Sequence, residues 1–248
     1  MFVATLPLFT KLTMMNIKNI ICSVAALLIA YAGLDAKIIN RQPVGEIPFT
    51  LAGSSMEQYS EPNIFLDHLC HYGRMTSEAE QDILSKITVA HRPKGHEIIR
   101  KGQVVSSFFI VRQGMVRAYY KKGNAEITSW FAYEGQIAVS LAALSTGKPS
   151  YETVECIEDC ELLSISNNDL QALYQKHECL NTIGRKMAEE YCAILDDRAY
   201  QLQVMSAVER YKDLMEYEPE IIRRAPLSNI ASFVGISQET LSRIRHQW

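Results

Sequence analysis

The residues best equipped for chemistry stand at the end of the chain, in residues 227–248, LSNIASFVGISQETLSRIRHQW. Ser237, Gln238, Glu239, Thr240, Ser242, Arg243 and Arg245 gather hydroxyl, amide, carboxylate and guanidinium groups in one short segment. The segment reads as a short helix, a tight turn at Val234-Gly235-Ile236 and a second helix opened by Ser237. That is the pattern of a helix-turn-helix, whose second helix enters the major groove of DNA. Ile230, Phe233, Val234, Ile236, Leu241 and Ile244 are expected to form its core, and Gly235 to supply the turn geometry. Residues 221–248 carry Arg223, Arg224, Arg243 and Arg245 against the single acid Glu239. Such a local positive excess suits a DNA face even in a chain of net charge −3.

No other cluster competes with it. The chain has 248 residues, 48% of them hydrophobic and 21% charged, the composition of an ordinary folded protein with room for one large domain or two small ones. No Ser/His/Asp, metal or phosphate-loop constellation is present, so an enzyme is not expected. His68, Cys70 and His71 lie close in sequence. Helical spacing puts the two histidines on neighbouring positions of one face and Cys70 on another, and a metal needs three or four convergent ligands. The six cysteines, at 22, 70, 156, 160, 179 and 192, include no C-x-x-C pair and read as small buried hydrophobes in a reducing cytoplasm.

Further elements must position the terminal segment. Residues 1–36 look like a secretory signal, with Lys11 and Lys18 before the apolar run 20–34 and Ala30-Tyr31-Ala32 as a cleavage site. An exported protein does not meet the chromosome. Three resolutions stand: translation beginning at Met56, a membrane-tethered regulator, or an exported protein without a true helix-turn-helix. The first is preferred, because Gly, Pro and Ser punctuate 43–55 and ordered patterning begins after Met56. Residues 1–55 are thus set apart as an extension, and the protein is expected in the cytoplasm.

From Pro62 to Ile87 the pattern is helical, with Ile64, Phe65, Leu69 and Tyr72 on one face and Ser77 expected to cap a second helix. From Thr88 to Ile165, short β-branched and aromatic runs alternate with glycines at 95, 102, 114, 123, 135 and 147. Seven or eight short strands imply an antiparallel β-barrel or jelly roll, with a hairpin at Lys122-Gly123-Asn124. Asn167 or Asn168 is expected to cap a short helix. In the long helical stretch that follows, Leu180, Ile183, Met187, Tyr191, Ile194, Leu202 and Met205 form a stripe interrupted at Arg198. A seam against a second copy is its natural use. Ser206 is placed to start a separate helix ending before Pro219. The fold class expected is α+β: a sensory barrel over 62–175, a dimerisation helix over 176–205 and a helix-turn-helix domain over 206–248.

With these segments in place the chain resembles the Crp/Fnr superfamily of bacterial transcription regulators. The resemblance rests on KGHEIIRKGQ (94–103) and FFIVRQGMVRAYY (108–120) in the barrel, on the long helix, and most specifically on IASFVGISQETLSRIR (230–245). It implies a homodimer joined through the long helices, double-stranded DNA as partner, RNA polymerase as a candidate partner, and an effector signal from barrel to DNA-binding domain. It also implies that Gln238, Glu239 and Arg243 read base edges. The chemistry suits them: Arg bonds guanine bidentately, Glu accepts from cytosine and Gln pairs with adenine. Ser237 serves as N-cap, Thr240 and Ser242 can hold phosphate, and Arg245 lies nearer the DNA backbone.

The chain departs from the family where members hold cyclic AMP. The ribose-binding Glu segment reads Gly135-Gln136-Ile137-Ala138, and the phosphate-binding Arg-Ser-Ala position reads Ser150-Tyr151-Glu152. A phosphate that loses its Arg and meets a carboxylate forfeits several kcal/mol of charge-assisted bonding. Cyclic AMP is therefore not expected as the effector. Nor is an iron–sulfur cluster, since Cys70 is the only cysteine in the right neighbourhood; His91 and His96 could reach a haem, but nothing singles them out. The cofactor is unknown. An unidentified small molecule near Gln136, Ser140, Ser150 and Tyr151, or no ligand, are equally open. The expected function is a sequence-specific, homodimeric transcription regulator; the alternative is a degenerate sensory domain acting through protein–protein contacts.

Overall fold

The computed structural model describes residues 63–246. The signal-like stretch, Met56 and the 1–55 extension lie outside the described residues. Two helices come first, α1 (Asn63–Tyr72) and α2 (Ser77–Lys86). Phe65, Leu69 and Ile83 point inward and are buried. Thr76, not Ser77, caps α2: its extended backbone brings Oγ1 within 3.2 Å of the Ala79 amide, and Ser77 is already helical.

Seven strands follow: β1 (Thr88–Arg92), β2 (Glu97–Ile99), β3 (Ser107–Gln113), β4 (Val116–Lys122), β5 (Ala125–Ala132), β6 (Thr153–Cys156) and β7 (Cys160–Ser166), with a short α3 (Leu141–Thr146) before β6. They form two antiparallel sheets, β1-β7-β3 and β2-β6-β4-β5. The expected closed barrel is not formed; the arrangement is jelly-roll-like and open. Closure fails because strands adjacent in sequence part company. β6 and β7, separated only by residues 157–159, go to different sheets, and the free side of β3 is met by irregular backbone. There Val111 N donates to Gln136 O at 3.0 Å and Ala138 N to Phe109 O at 2.9 Å. Apolar side chains from both sheets, among them Ile99, Ile110, Val154 and Leu163, fill the space between.

The β4–β5 hairpin turns at Gly123-Asn124, as its sequence indicates, with Gly123 at φ 62. Gly114 is more constrained. Its φ is +95, and a Cβ there would stand 2.4 Å from Asp159 O and 2.8 Å from Cys160 Sγ. Gly114→Ala should therefore destabilise the chain by about 2–4 kcal/mol, since both backbone strain and a backbone clash must be relieved. Urea denaturation measures it; a loss below the experimental error would refute this reading of the corner.

Ser166, rather than Asn167 or Asn168, caps α4 (Asn167–Lys176), accepting from Asp169 N at 3.0 Å. The chain breaks at buried His177, which pairs with Asp82 at 2.7 Å. Then comes the 27-residue α5 (Glu178–Val204), roughly 40 Å long. Leu180 and Ile183 are buried against the sheet-rich core, and Met187 packs on it. Beyond this point the stripe changes character: Tyr191, Ile194, Leu195, Leu202 and Val204 are exposed. A capping box at Ser206 and Glu209 starts α6 (Ala207–Tyr217), at the break its sequence indicates.

Four helices close the chain: α6, α7 (Pro219–Arg224), α8 (Leu227–Val234) and α9 (Gln238–Arg245). Tyr211, Leu214, Ile221, Ile230, Val234, Leu241 and Ile244 form their core, into which Met115 and Ile157 from the sheet-rich part insert. Phe233 and Ile236 sit half-buried at its rim. The cysteines divide. Cys156 and Cys160 are buried, whereas Cys70 and Cys192 are exposed on the outer faces of α1 and α5, contrary to the expectation of buried hydrophobes. Their helices turn other side chains inward, so a free thiol meets solvent.

Candidate nucleic-acid interface

The interface begins with a turn. Gly235 ends α8 at φ 88 and ψ 32, donating to Ala231 O at 2.9 Å, while Ile236 N reaches the same carbonyl at 3.0 Å. This left-handed cap satisfies the last carbonyls of α8 and redirects the chain. Ser237 then caps α9, accepting from Thr240 N at 3.2 Å, with the two hydroxyls 3.1 Å apart. Leu241, fully buried, and Ile244 hold one face of α9 to the core. The other face leaves Gln238, Glu239, Thr240, Arg243 and Arg245 exposed, with Ser242 half-buried. The acid lies in the first turn and the arginines in the last, an order that suits the helix dipole. Glu239 is held below the usual carboxylate range by backbone amide donation, by Ser237 and by Arg243. It therefore presents two acceptor oxygens and no donor.

Two arginines brace the turn from outside. Arg198, the interruption in the α5 stripe, stacks over the Phe233 ring at 3.9 Å and donates to Phe233 O at 2.5 Å. Burial, and then the neighbouring Arg210, push its pKa down to about 10. Arg210 of α6 donates to Val234 O at 2.9 Å and to Met205 O. The carbonyls at the C-terminal end of α8 are thus read by the long helix and by α6, a link not visible in the sequence pattern.

The opposite side of α8 docks on the sheet. β5 is an edge strand, and Ser232 occupies its free edge, accepting from Thr128 N at 2.9 Å and donating to Glu126 O at 2.8 Å. Such side-chain pairing covers the unpaired backbone of an edge. Phe131 and Phe233 meet edge to face at 5.4 Å. Arg117, only 6% exposed, lies over the Tyr119 ring at 4.4 Å, pairs with Glu155 at 2.6 Å and with Glu126, and donates to Asn229 Oδ1 at 3.0 Å. A third contact lies at α7. Arg224 bonds Glu134 at 2.7 Å and Glu158 at 2.5 Å, and Tyr133 OH donates to Glu218 at 2.7 Å. Arg224 is therefore committed to the sheet-rich part, and Arg223 pairs with Glu220. Arg224 is thereby withdrawn from the positive face that its sequence position suggests, whereas Arg223 stays exposed beside Glu220. On α9 itself the positive charge comes from Arg243 and Arg245.

The candidate effector residues are partly reunited. Ser140 and Ser150 are buried with their hydroxyls 3.2 Å apart, and Tyr151 stacks on Tyr120 at 5.7 Å. Gln136 turns elsewhere, its side chain accepting from Tyr133 N at 3.1 Å. Glu152 is the side chain that sequence reasoning placed only as a repulsive charge. It is 5% exposed, and Ser129 donates to it at 3.3 Å, with Ser140 and Tyr120 adjoining. Burial raises its pKa above the ordinary 4.5, against the pull of these donors. The folded chain therefore binds this proton more tightly than the unfolded chain does. That contribution to stability is complete below pH 4.5 and is lost as pH rises through the folded-state value. Glu152→Gln should accordingly stabilise the chain at neutral pH by on the order of 1 kcal/mol, or about 2–4 °C, with the gain vanishing in acid. Thermal melts across pH test it; a uniform shift, or a loss at neutral pH, would contradict the assignment.

Among the described residues no group of three or more His, Cys, Asp or Glu side chains is arranged to hold a metal. His68 stacks edge-on with Tyr72 at 5.5 Å, while His91 and His96 are exposed. Among those residues, too, no helix is long and apolar enough to cross a membrane.

Residues 90–177 match the family model of the cyclic nucleotide-binding domain. No curated protein matches the chain. Solved structures share its fold. A Crp/Fnr-family transcriptional regulator from Eubacterium rectale is 16% identical, over 70% of this chain and 83% of that one, with a TM-score of 0.54. FixK2 from Bradyrhizobium japonicum is 20% identical over 65% and 83%, with a TM-score of 0.53. The c-di-GMP-responsive global regulator CLP of Xanthomonas campestris is 19% identical over 69% and 91%, also at 0.53. Residues 90–177 thus carry the pattern of a cyclic nucleotide-binding domain, and the described chain shares the fold of these regulators.

Proposed function

We propose that the chain is a sequence-specific DNA-binding transcription regulator that acts as a homodimer in the cytoplasm, without enzymatic activity. One observation carries the reading: α9 exposes Gln238, Glu239, Arg243 and Arg245 on one face while Leu241 and Ile244 lock the other into a core. A helix fixed in this way can enter a major groove, with α8 and the Gly235 turn as a helix-turn-helix support. The apolar residues left exposed on the second half of α5 supply the face for a second copy, since a row of Tyr191, Ile194, Leu195 and Leu202 is costly to leave in water. RNA polymerase is the further partner such a regulator would engage. The effector is not cyclic AMP in the usual pose: buried Glu152, with Ser140 and Ser150, offers acceptors and hydroxyls where a phosphate requires a cation.

Selection from random duplexes tests the reading. The expected product is a two-fold symmetric site, its half-sites about 10 base pairs apart, one helical turn of DNA. Recovery of no motif by the full chain would overturn the proposal.

A further inference from the structure

The joint between α5 and α6 has little regular structure of its own. α5 ends at Val204, and the next two residues are extended, Met205 with φ −80 and ψ 142 and Ser206 with φ −67 and ψ 161. Their backbone dihedrals are soft, and rotation about them would swing the C-terminal helices against α5. Arg210, near the start of α6, spans this joint. Its Nε donates to Val234 O of α8 at 2.9 Å. Its Nη1 donates to Gln201 O at 3.3 Å and to Met205 O, at the end of α5. One guanidinium thus ties the last turn of α5 to the last turn of α8. The C-terminal ends of both helices carry partial negative charge, so a cation between them is favoured from either side.

Arg198 makes a second fastening, stacked on the Phe233 ring at 3.9 Å and bonded to Phe233 O at 2.5 Å. Both arginines are half-buried. Arg198 also has a defined place beside the proposed dimer seam. Cys192, Leu195, Ala199 and Leu202 recur at intervals of three, four and three residues, the spacing of a coiled-coil stripe. Arg198 precedes Ala199 and flanks that stripe. Its stem therefore borders the face offered to a second copy, while its head holds the end of α8.

We propose that Arg198 and Arg210 are positioning residues that lock the helix-turn-helix to the end of α5 and so fix the half-site spacing a dimer accepts, a role that deepens the DNA-reading proposal and rests on it. Neither side chain needs to touch DNA. Adding one base pair between half-sites moves them about 3.4 Å apart along the axis and turns one against the other by roughly 35°. Two α9 helices fastened to one seam cannot follow both changes, whereas helices on free joints can. β5 holds the opposite side of α8 through Ser232. Loss of the clamp therefore loosens the placing of α9 without detaching the C-terminal helices.

Gel shifts of the full chain test it on the motif selected from random duplexes, with the two half-sites at the selected spacing and set one base pair closer or farther. The wild type should prefer the selected spacing by about tenfold or more, the worth of one lost charge-assisted contact. Arg198→Met keeps an apolar stem over Phe233 and removes the donors; Arg210→Met does the same at the joint. Each should bring the preference down to about threefold or less while selecting the same half-site bases. Arg198→Lys can still donate to Phe233 O and should restore most of the preference. Without DNA, amide hydrogen exchange over 203–207 should quicken roughly tenfold in both Met variants, as the joint opens more easily. The proposal is overturned if the Met variants keep the wild-type preference, if they lose affinity equally at all three spacings as a merely structural role requires, or if exchange at the joint is unchanged. A wild type that selects no motif strikes the DNA reading and this proposal with it. A wild-type motif whose spacing preference the variants leave unmoved strikes the clamp alone.

Discussion

Arg243→Ala is expected to cut discrimination between the selected site and random DNA by about 30-fold or more while leaving the chain folded. The guanidinium is exposed on α9, and the helix is held by Leu241 and Ile244 on its far side. Its removal therefore costs little packing. A bidentate contact to guanine is worth about 1–3 kcal/mol, and a dimer makes it twice. Affinity for the selected site should fall about 30-fold or more, while non-specific binding falls only by the share of one phosphate-range charge per copy. Arg243→Lys separates charge from geometry: lysine keeps the charge but lacks the planar fork, so non-specific affinity should return and specificity should not. Gel shifts at fixed salt with selected and scrambled duplexes measure both. Equal loss on the two duplexes would show that Arg243 holds backbone phosphate and reads no base.

Leu195→Glu is expected to turn a dimer into a monomer. Leu195 is 50% exposed in the single chain, so a polar residue there leaves the monomer's own core untouched. In a seam the same leucine is buried twice over, at about 2 kcal/mol for each copy, and a carboxylate in its place meets its own image. The dimer dissociation constant should rise on the order of 10³-fold. Sedimentation at micromolar concentration gives the mass, and circular dichroism reports whether the helices persist. A symmetric DNA site should lose affinity in step, since one monomer can hold only one half-site. A variant that still sediments as a dimer would move the seam off this face of α5. A wild type that sediments as a monomer would remove the seam altogether.

These two substitutions probe opposite ends of one mechanical path. Arg198 lies on α5 just beyond Leu195 and grips Phe233 at the end of α8. A repacking of α5, such as the proposed seam would bring, would therefore reach the turn before α9. Arg117 and Ser232 tie the same helix α8 to β4 and β5. The turn before α9 is thus held from α5 and from the sheets at once, the geometry that a signal between the proposed dimer seam and the sheets would require.

Much of this was legible in the sequence because its signals are local. A glycine between apolar runs, a Ser opening a polar-faced helix and a capping box at Ser206 fix the backbone within a few residues of themselves, and Gly235, Ser237 and Ser206 stand in those roles. Alternation of Leu241 and Ile244 with polar residues told which face of α9 is buried. Periodicity names a face but not what covers it. It could not say that the α5 stripe is divided, buried at Leu180 and Ile183 and open from Tyr191 onward. Nor could it close or open a barrel, because the partition of β6 and β7 between sheets depends on pairings across the whole domain. Caps shifted by a residue, to Thr76 and Ser166, since neighbouring Ser, Thr and Asn compete and backbone angle decides. The arginines show the limit most plainly. In sequence Arg117, Arg198, Arg224 and Arg243 are four like cations. Only the tertiary structure withdraws three of them from open solvent and commits them to carboxylates and carbonyls, where a partly buried charge is paired, and leaves Arg243 on an open face.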